Sequence, residues 1–310
     1  MRYCFGVDVG GTSIKAGLLQ EDGTIVDKWE IDTRKENHGE AILPDIAKLV
    51  GEKYVEAGLN KEDIVGIGIG VPAPVDEEGI VHNTANLGWG YKEVKKELEE
   101  LTGFPVEVGN DANMAALGEM WLGAGRGNRN MVMVTLGTGV GGGVIIGGRP
   151  LVGTNGAGGE IGHILANRQE TDKCGCGKKG CLEQYASATG IARLARIRLA
   201  KNDDPSLLRG QKITAKAVFD ALKQGDRVAK DIVEEFGSYL GYAFADVAAI
   251  VDPSVIVIGG GVSKAGPILI KYVEKYFMEK AFFANEGTIF QIAELGNDAG
   301  ICGAARLILG

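Results

Sequence analysis

Histidine and cysteine are scarce in this 310-residue chain, at three and five residues. Blocks of lysine or arginine are absent, and the formal charge is −8, so no stretch is suited to follow a phosphate backbone. Nucleic acid is therefore not an expected partner; small molecules are. The N-terminal run MRYCFGVDVGG lacks the charged leader, long apolar segment and small-residue cleavage site of a secretory signal. The most apolar stretch, residues 131–146, is interrupted repeatedly by glycine, which argues against a membrane span. A cytoplasmic protein is expected, and in a reducing compartment clustered cysteines point to metal or redox chemistry before disulfides.

Glycine is abundant, 49 residues, and concentrated in tight clusters. Residues 3–33 alternate in three short runs separated by GGTS and EDGT, which reads as a three-stranded meander. A helix over about 40–57, a buried strand IVGIGIGV, a Pro/Asn-rich loop (72–90), a charged helix, a strand PVEVG and a helix over 112–122 follow. The second half repeats the grammar: strands MVMVTLG and GGGVIIGG around a glycine turn, three helices, a strand VIVIGG, a helix, a strand and a final helix. The length suits two domains, and the pattern implies a duplicated α/β unit with a cleft between the copies.

DVGGTSIKAG (8–17) and TLGTGVGGG (135–143) place glycines where backbone N–H groups can cradle an anion, although each also suits a plain hairpin turn. A dinucleotide fingerprint needs a helix directly after its glycines, and here VIIGGRP reads as strand. No GxxxxGK[ST] occurs, which excludes a Walker A loop. Asn110 and Asp111 stand between strand PVEVG and the next helix, where both residue types are favoured as N-caps. A carboxylate at that strand end is also placed to take a proton from an acceptor hydroxyl.

His163, Cys174, Cys176 and Cys181 give H-x10-C-x-C-x4-C. Three thiolates and an imidazole form a closed tetrahedral set suited to structural Zn²⁺, whereas a disulfide would leave one cysteine over. Cys4 and Cys302 lie in apolar runs and read as core.

Together DVGGTSIKAG, GND (109–111), TLGTGVGGG, ExGH (160–163), CGCGKKGCLE and VIVIGGGVS resemble the ROK family of sugar kinases and related repressors, within the actin/hexokinase-like ATPase fold. The resemblance implies two actin-like (ribonuclease H-like) α/β domains: 1–111 with the helix at about 298–310, and 112–297. It places Asp8, Gly10, Gly11, Thr12 and Lys15 in a first phosphate loop and Gly137, Thr138 and Gly139 in a second, around ATP and Mg²⁺. Gly259, Gly260 and Gly261 would form the adenosine loop, a run that unaided reads equally as a helix-entry turn. Asp111 would be the general base on a sugar 6-hydroxyl, with Asn86, Asn110, Glu160, His163 and Glu183 contacting the sugar and Trp89 lining the same cleft. The implied activity is an ATP-dependent hexose kinase, with glucose first and fructose, N-acetylglucosamine or N-acetylmannosamine as alternatives. A homodimer is the implied assembly. Repressors of the family carry a helix-turn-helix module ahead of the kinase-like body, and with the first phosphate loop at residue 8 none is expected here. The chain departs from the family at Gly70-Val71-Pro72-Ala73, where many members read G-x-P-G; the methyl of Ala73 leaves less room for close backbone approach.

Overall fold

The computed structural model describes residues 2–84 and 86–310. It contains two five-stranded sheets and divides into two compact units. The first comprises residues up to Arg129, Gly143–Gly159 and Glu294–Gly310; the second comprises Asn130–Gly142 and Glu160–Ala293.

In the first unit β1 (Tyr3–Val9), β2 (Ser13–Gln20) and β3 (Ile25–Asp32) form the antiparallel meander that the alternation predicts. A left-handed turn, α1 (Glu36–Gly39), leads into α2 (Ile42–Glu56). Next come β4 (Ile64–Val71), α3 (Val94–Thr102), β5 (Val106–Asn110) and α4 (Asp111–Leu122), with β4 and β5 parallel to β1 in the order β3-β2-β1-β4-β5. Phe5, Val7, Ile42, Ile46, Ile67, Ile69, Val94 and Leu98 belong to one buried core beneath α2 and α3.

The second sheet, in the order β10-β9-β6-β7-β8, is built from β6 (Met131–Leu136), β7 (Val140–Ile146), β8 (Arg149–Pro150), β9 (Val255–Gly259) and β10 (Ile289–Ile292). Its helices are the short α5 (Glu183–Ala186), then α6 (Ala188–Lys201), α7 (Ala215–Lys223), α8 (Arg227–Val251) and α9 (Pro267–Lys280). The last helix, α10 (Ala299–Leu309), returns to the first unit.

Helix α10 explains why β4 alternates glycine with isoleucine. A Cβ on Gly68 would overlap the Ala304 carbonyl, and one on Gly303 would overlap the Met114 carbonyl. Glycine therefore lets α10 lie with its backbone against both the sheet and α4. This packing groups α4 with the first unit, whereas the boundary expected at residue 111 assigned it to the second. Cys4 and Cys302 are fully buried beside α10, and burial pushes their thiols up to about 12 and about 11, as core cysteines require.

Candidate active site

Asp8, next to last in β1, lies opposite Lys15 of β2. Burial raises its carboxyl above the usual range, and the Lys15 charge only partly offsets this. The first turn of α10 lies against it: a Cβ on Gly300 would stand 2.7 Å from its Cγ and Oδ2. A desolvated carboxylate of this kind suits a cation, which would lower its pKa again. Between the strands, Gly10 N–H donates to Ser13 O (2.9 Å), while the Thr33 hydroxyl donates to Gly10 O (2.7 Å) and Thr33 N–H to Thr12 O (2.9 Å). The first glycine loop is thus held from β3. Exposed Asn86 lies alongside, its Cβ 3.5 Å from the place of a Cβ on Gly11. Trp89 does not line a cleft: it is 3% exposed and donates through Nε1 to Gly39 O (3.1 Å), so it belongs to the core.

At the entry to α4 the two residues divide the roles the sequence left open. Asn110 is the cap, its Oδ1 accepting from Ala112 N–H (3.0 Å) and Asn113 N–H (3.2 Å). Its Nδ2 donates to Ala73 O (3.2 Å), tying the loop that departs from the family pattern to the helix. Asp111 is the first helical residue, with Oδ1 accepting from Ala112 N–H (2.7 Å), where a helix N-terminus favours negative charge. Asn110 thus supplies the cap through its side chain, and Asp111 adds a carboxylate at the same helix end.

In the second unit the turn 137–139 is held by α6. Ala188 N–H donates to Gly137 O (2.8 Å) and the Thr189 hydroxyl to Thr138 O (2.7 Å). Glu183 Oε2 accepts from Val140 N–H (3.0 Å), and the Cys174 thiol donates to Glu183 Oε1 (3.5 Å). Glu183 therefore joins the second glycine loop to the cysteine segment. A Cβ on Gly139 would collide with that carboxylate. At the other glycine run, Gly260 has φ +82°, and a Cβ there would meet Leu136 backbone atoms at 2.6–2.7 Å. The run turns directly into a 3-10 segment, Gly261–Ala265, ahead of α9.

His163, Cys174, Cys176 and Cys181 converge, with one donor atom from each lying within 4.8 Å of all the others. Cys176 and Cys181 sulfurs are 3.6 Å apart, and Cys174 Sγ is 3.9 Å from His163 Nδ1. Zn–S bonds of about 2.3 Å give tetrahedral edges near 3.8 Å, so the donor set and its spacing fit a four-coordinate zinc ion. The other imidazole nitrogen, Nε2, lies 3.9 Å from Glu160 Oε2. His163 thus turns one nitrogen to the thiols and the other to a carboxylate.

A clamp that the sequence reading missed fixes this segment to α6. Glu170, whose side chain is 6% exposed, accepts from Arg193 Nη2 (2.6 Å) and from the Tyr185 hydroxyl. Asn167 donates to Tyr185 Oη (3.1 Å), Arg193 also reaches Asp172 (3.1 Å), and Gln184 Oε1 accepts from Gly180 and Cys181 N–H. Glu170 and Arg193 are 23 residues apart, beyond any local pattern, and neither is marked by a motif in the sequence.

The chain as a whole is similar to known proteins. A model of the ROK family matches residues 4–310. The chain is 45% identical over 313 residues to a glucokinase of Halalkalibacterium halodurans, covering 99% of this chain and 95% of that one. It is 40% identical over 310 residues to a glucokinase of Thermotoga maritima, covering 98% and 96%. Among solved structures, a ROK family glucokinase of Streptomyces griseus in complex with glucose and AMPPNP superimposes with a TM-score of 0.76 at 36% identity, covering 98% of both chains. Family model, full-length relatives and an α/β fold with two five-stranded sheets, of the actin-like ATPase kind, agree: this chain belongs to the ROK family.

Proposed function

We propose that the chain is an ATP-dependent glucokinase that phosphorylates the 6-hydroxyl of glucose. The observation that carries this reading is the 45% identity to a glucokinase over almost the whole chain, with Asp111 at the first position of α4, directly after β5. Asp111 takes the proton of the 6-hydroxyl as its oxygen attacks the γ-phosphorus; the bond from that phosphorus to the bridging oxygen breaks, and ADP leaves. Asn86, Asn110, Glu160, His163 and Glu183 are assigned to the sugar hydroxyls. The glycine loops at 10–12 and 137–139, with Lys15, are assigned to the phosphates, and Gly259, Gly260 and Gly261 to the adenosine. Asp8, desolvated and opposite Lys15, is the residue to hold Mg²⁺, which when bound neutralises charge on the transferring phosphoryl group. The His163–Cys181 cluster is assigned to structural Zn²⁺, which keeps Glu160, His163 and Glu183 in register. A cytoplasmic homodimer is the assembly this reading carries. Among the described residues no helix is long and apolar enough to cross a membrane.

The test is ADP release with glucose, fructose, N-acetylglucosamine and N-acetylmannosamine, with and without Mg²⁺. Glucose gives the highest kcat/KM, and Asp111→Asn lowers kcat by about 10²–10⁴ while glucose still binds. A variant with near-normal kcat refutes the general base; a higher kcat/KM for another sugar refutes the substrate.

A further inference from the structure

Beside α4 the first unit contains a cavity of about 340 Å³, and of the residues assigned to the substrates only Asn110 lies in its wall. Its walls are largely apolar, formed chiefly by Val108, Met114, Leu117 and Val152, and Arg149 and Arg306 are also among its lining residues. Arg306 stacks over Trp121 at 5.9 Å, and neither arginine has an ion-pair partner among the described residues. Asp76, the acidic side chain at the wall, already accepts from Glu78 and Ile80 N–H and pairs with His82. Asn113, 3% exposed, also lines the cavity, and its Oδ1 is buried without a hydrogen-bond partner. An orphaned buried acceptor is costly, and its natural complement is a donor on a ligand.

We propose that this cavity is a binding site for a small apolar carboxylate that also carries one hydroxyl or amino donor. The arginine forks recognise the carboxylate, the Asn113 oxygen accepts from the donor, and the apolar walls take the body. At roughly 30 Å³ per water-sized group the space holds about eleven non-hydrogen atoms. Asn110 and Asn113, both in the wall, flank Asp111 at the start of α4, so a bound molecule bears on the helix end that carries the assigned base.

The test is calorimetry on the full chain with three probes: 3-phenyllactate, 3-phenylpropionate, which lacks the hydroxyl, and 3-phenyl-1,2-propanediol, which lacks the carboxylate. The first binds with a Kd below about 1 mM and the others at least about tenfold more weakly. Val152→Trp fills the half-exposed wall and abolishes binding; Arg149→Ala, at an exposed position, weakens it at least about threefold, and saturating glucose does not displace the probe. Equal binding of the three probes, no saturation by about 10 mM, insensitivity to both variants, or displacement by glucose would each overturn the proposal. Because the readout is binding, failure here is separate from failure of the kinase reading.

Discussion

Replacing Glu170 by glutamine tests whether the clamp on α6, rather than the metal ligands alone, holds the cysteine segment. Burial by itself would raise the pKa of Glu170, but the Tyr185 hydroxyl, the Asp172 N–H and Arg193 outweigh it and hold the carboxyl at about 2, against an ordinary 4.5. The depression corresponds to on the order of 3 kcal/mol favouring the folded clamp. Because the folded pKa is lowered, the contribution is fully present above pH 4.5 and is lost as pH falls from there towards 2. Glu170→Gln removes the charge and leaves Arg193, a quarter exposed, paired only with exposed Asp172. The expected cost at pH 7 is roughly 2–3 kcal/mol, the order for breaking a largely buried charge pair. Hydrogen exchange at Asn167 and Leu182, whose N–H groups donate to Gly180 O and Ile164 O, reads this opening locally. The wild-type advantage shrinks as pH is lowered below 4.5, and glucose KM rises while kcat holds within about twofold, since Glu170 is assigned no substrate contact. Exchange protection equal in the two proteins at pH 7, or a difference unchanged between pH 6 and pH 3, refutes the clamp.

The remaining expectations concern the joints around the glycine loop, α4 and the metal cluster. Gly139→Ala keeps an allowed backbone but drives its methyl into the Glu183 carboxylate; kcat/KM should fall by about 10–100-fold, with little further loss when Glu183→Ala is added, because one joint has already been broken. Additive losses would show the two residues acting separately. Glu119 is fully buried and accepts from the N–H groups of Ala124 (2.8 Å), Glu294 (3.2 Å) and Leu295 (2.8 Å); Glu119→Ala strands those donors and should cost about 3–5 kcal/mol by denaturant midpoint, with Glu119→Gln recovering part of it. A midpoint unchanged in both variants refutes this accounting. Elemental analysis should find about one zinc per chain, and its removal by a chelator should raise glucose KM more than it lowers kcat; metal-free protein with full activity refutes the clasp.

What the sequence makes legible follows from the range of each interaction. The meander 3–33, the buried strand 64–71 and the helices from α6 to α10 are local patterns of period two or 3.6, and they form where those periods place them. The convergence of His163, Cys174, Cys176 and Cys181 is likewise legible, because three of the four lie within eight residues. Glycine in β4 is legible as glycine but not as a seat, since the backbone it admits is that of Ala304, at the other end of the chain. Glu119 gives no local sign of its role because its partners lie at positions 124 and 294–295. Asn110 and Asp111 are intermediate: both residue types cap helices, and only the hydrogen bonds show that Asn110 meets the orphan N–H groups, so Asp111 is not required for capping. Glu183 shows the same limit from the other side. Its place beside CGCGKKGC marks it as part of the cysteine segment, yet its carboxylate bonds to Val140, 43 residues earlier, in the second glycine loop. A residue assigned to the sugar by position is therefore also a structural link to the loop assigned to the phosphates. Loss of Glu183 should accordingly disturb both substrates: the KM values for glucose and for ATP should rise together in Glu183→Gln, whereas a pure sugar contact would raise that for glucose alone.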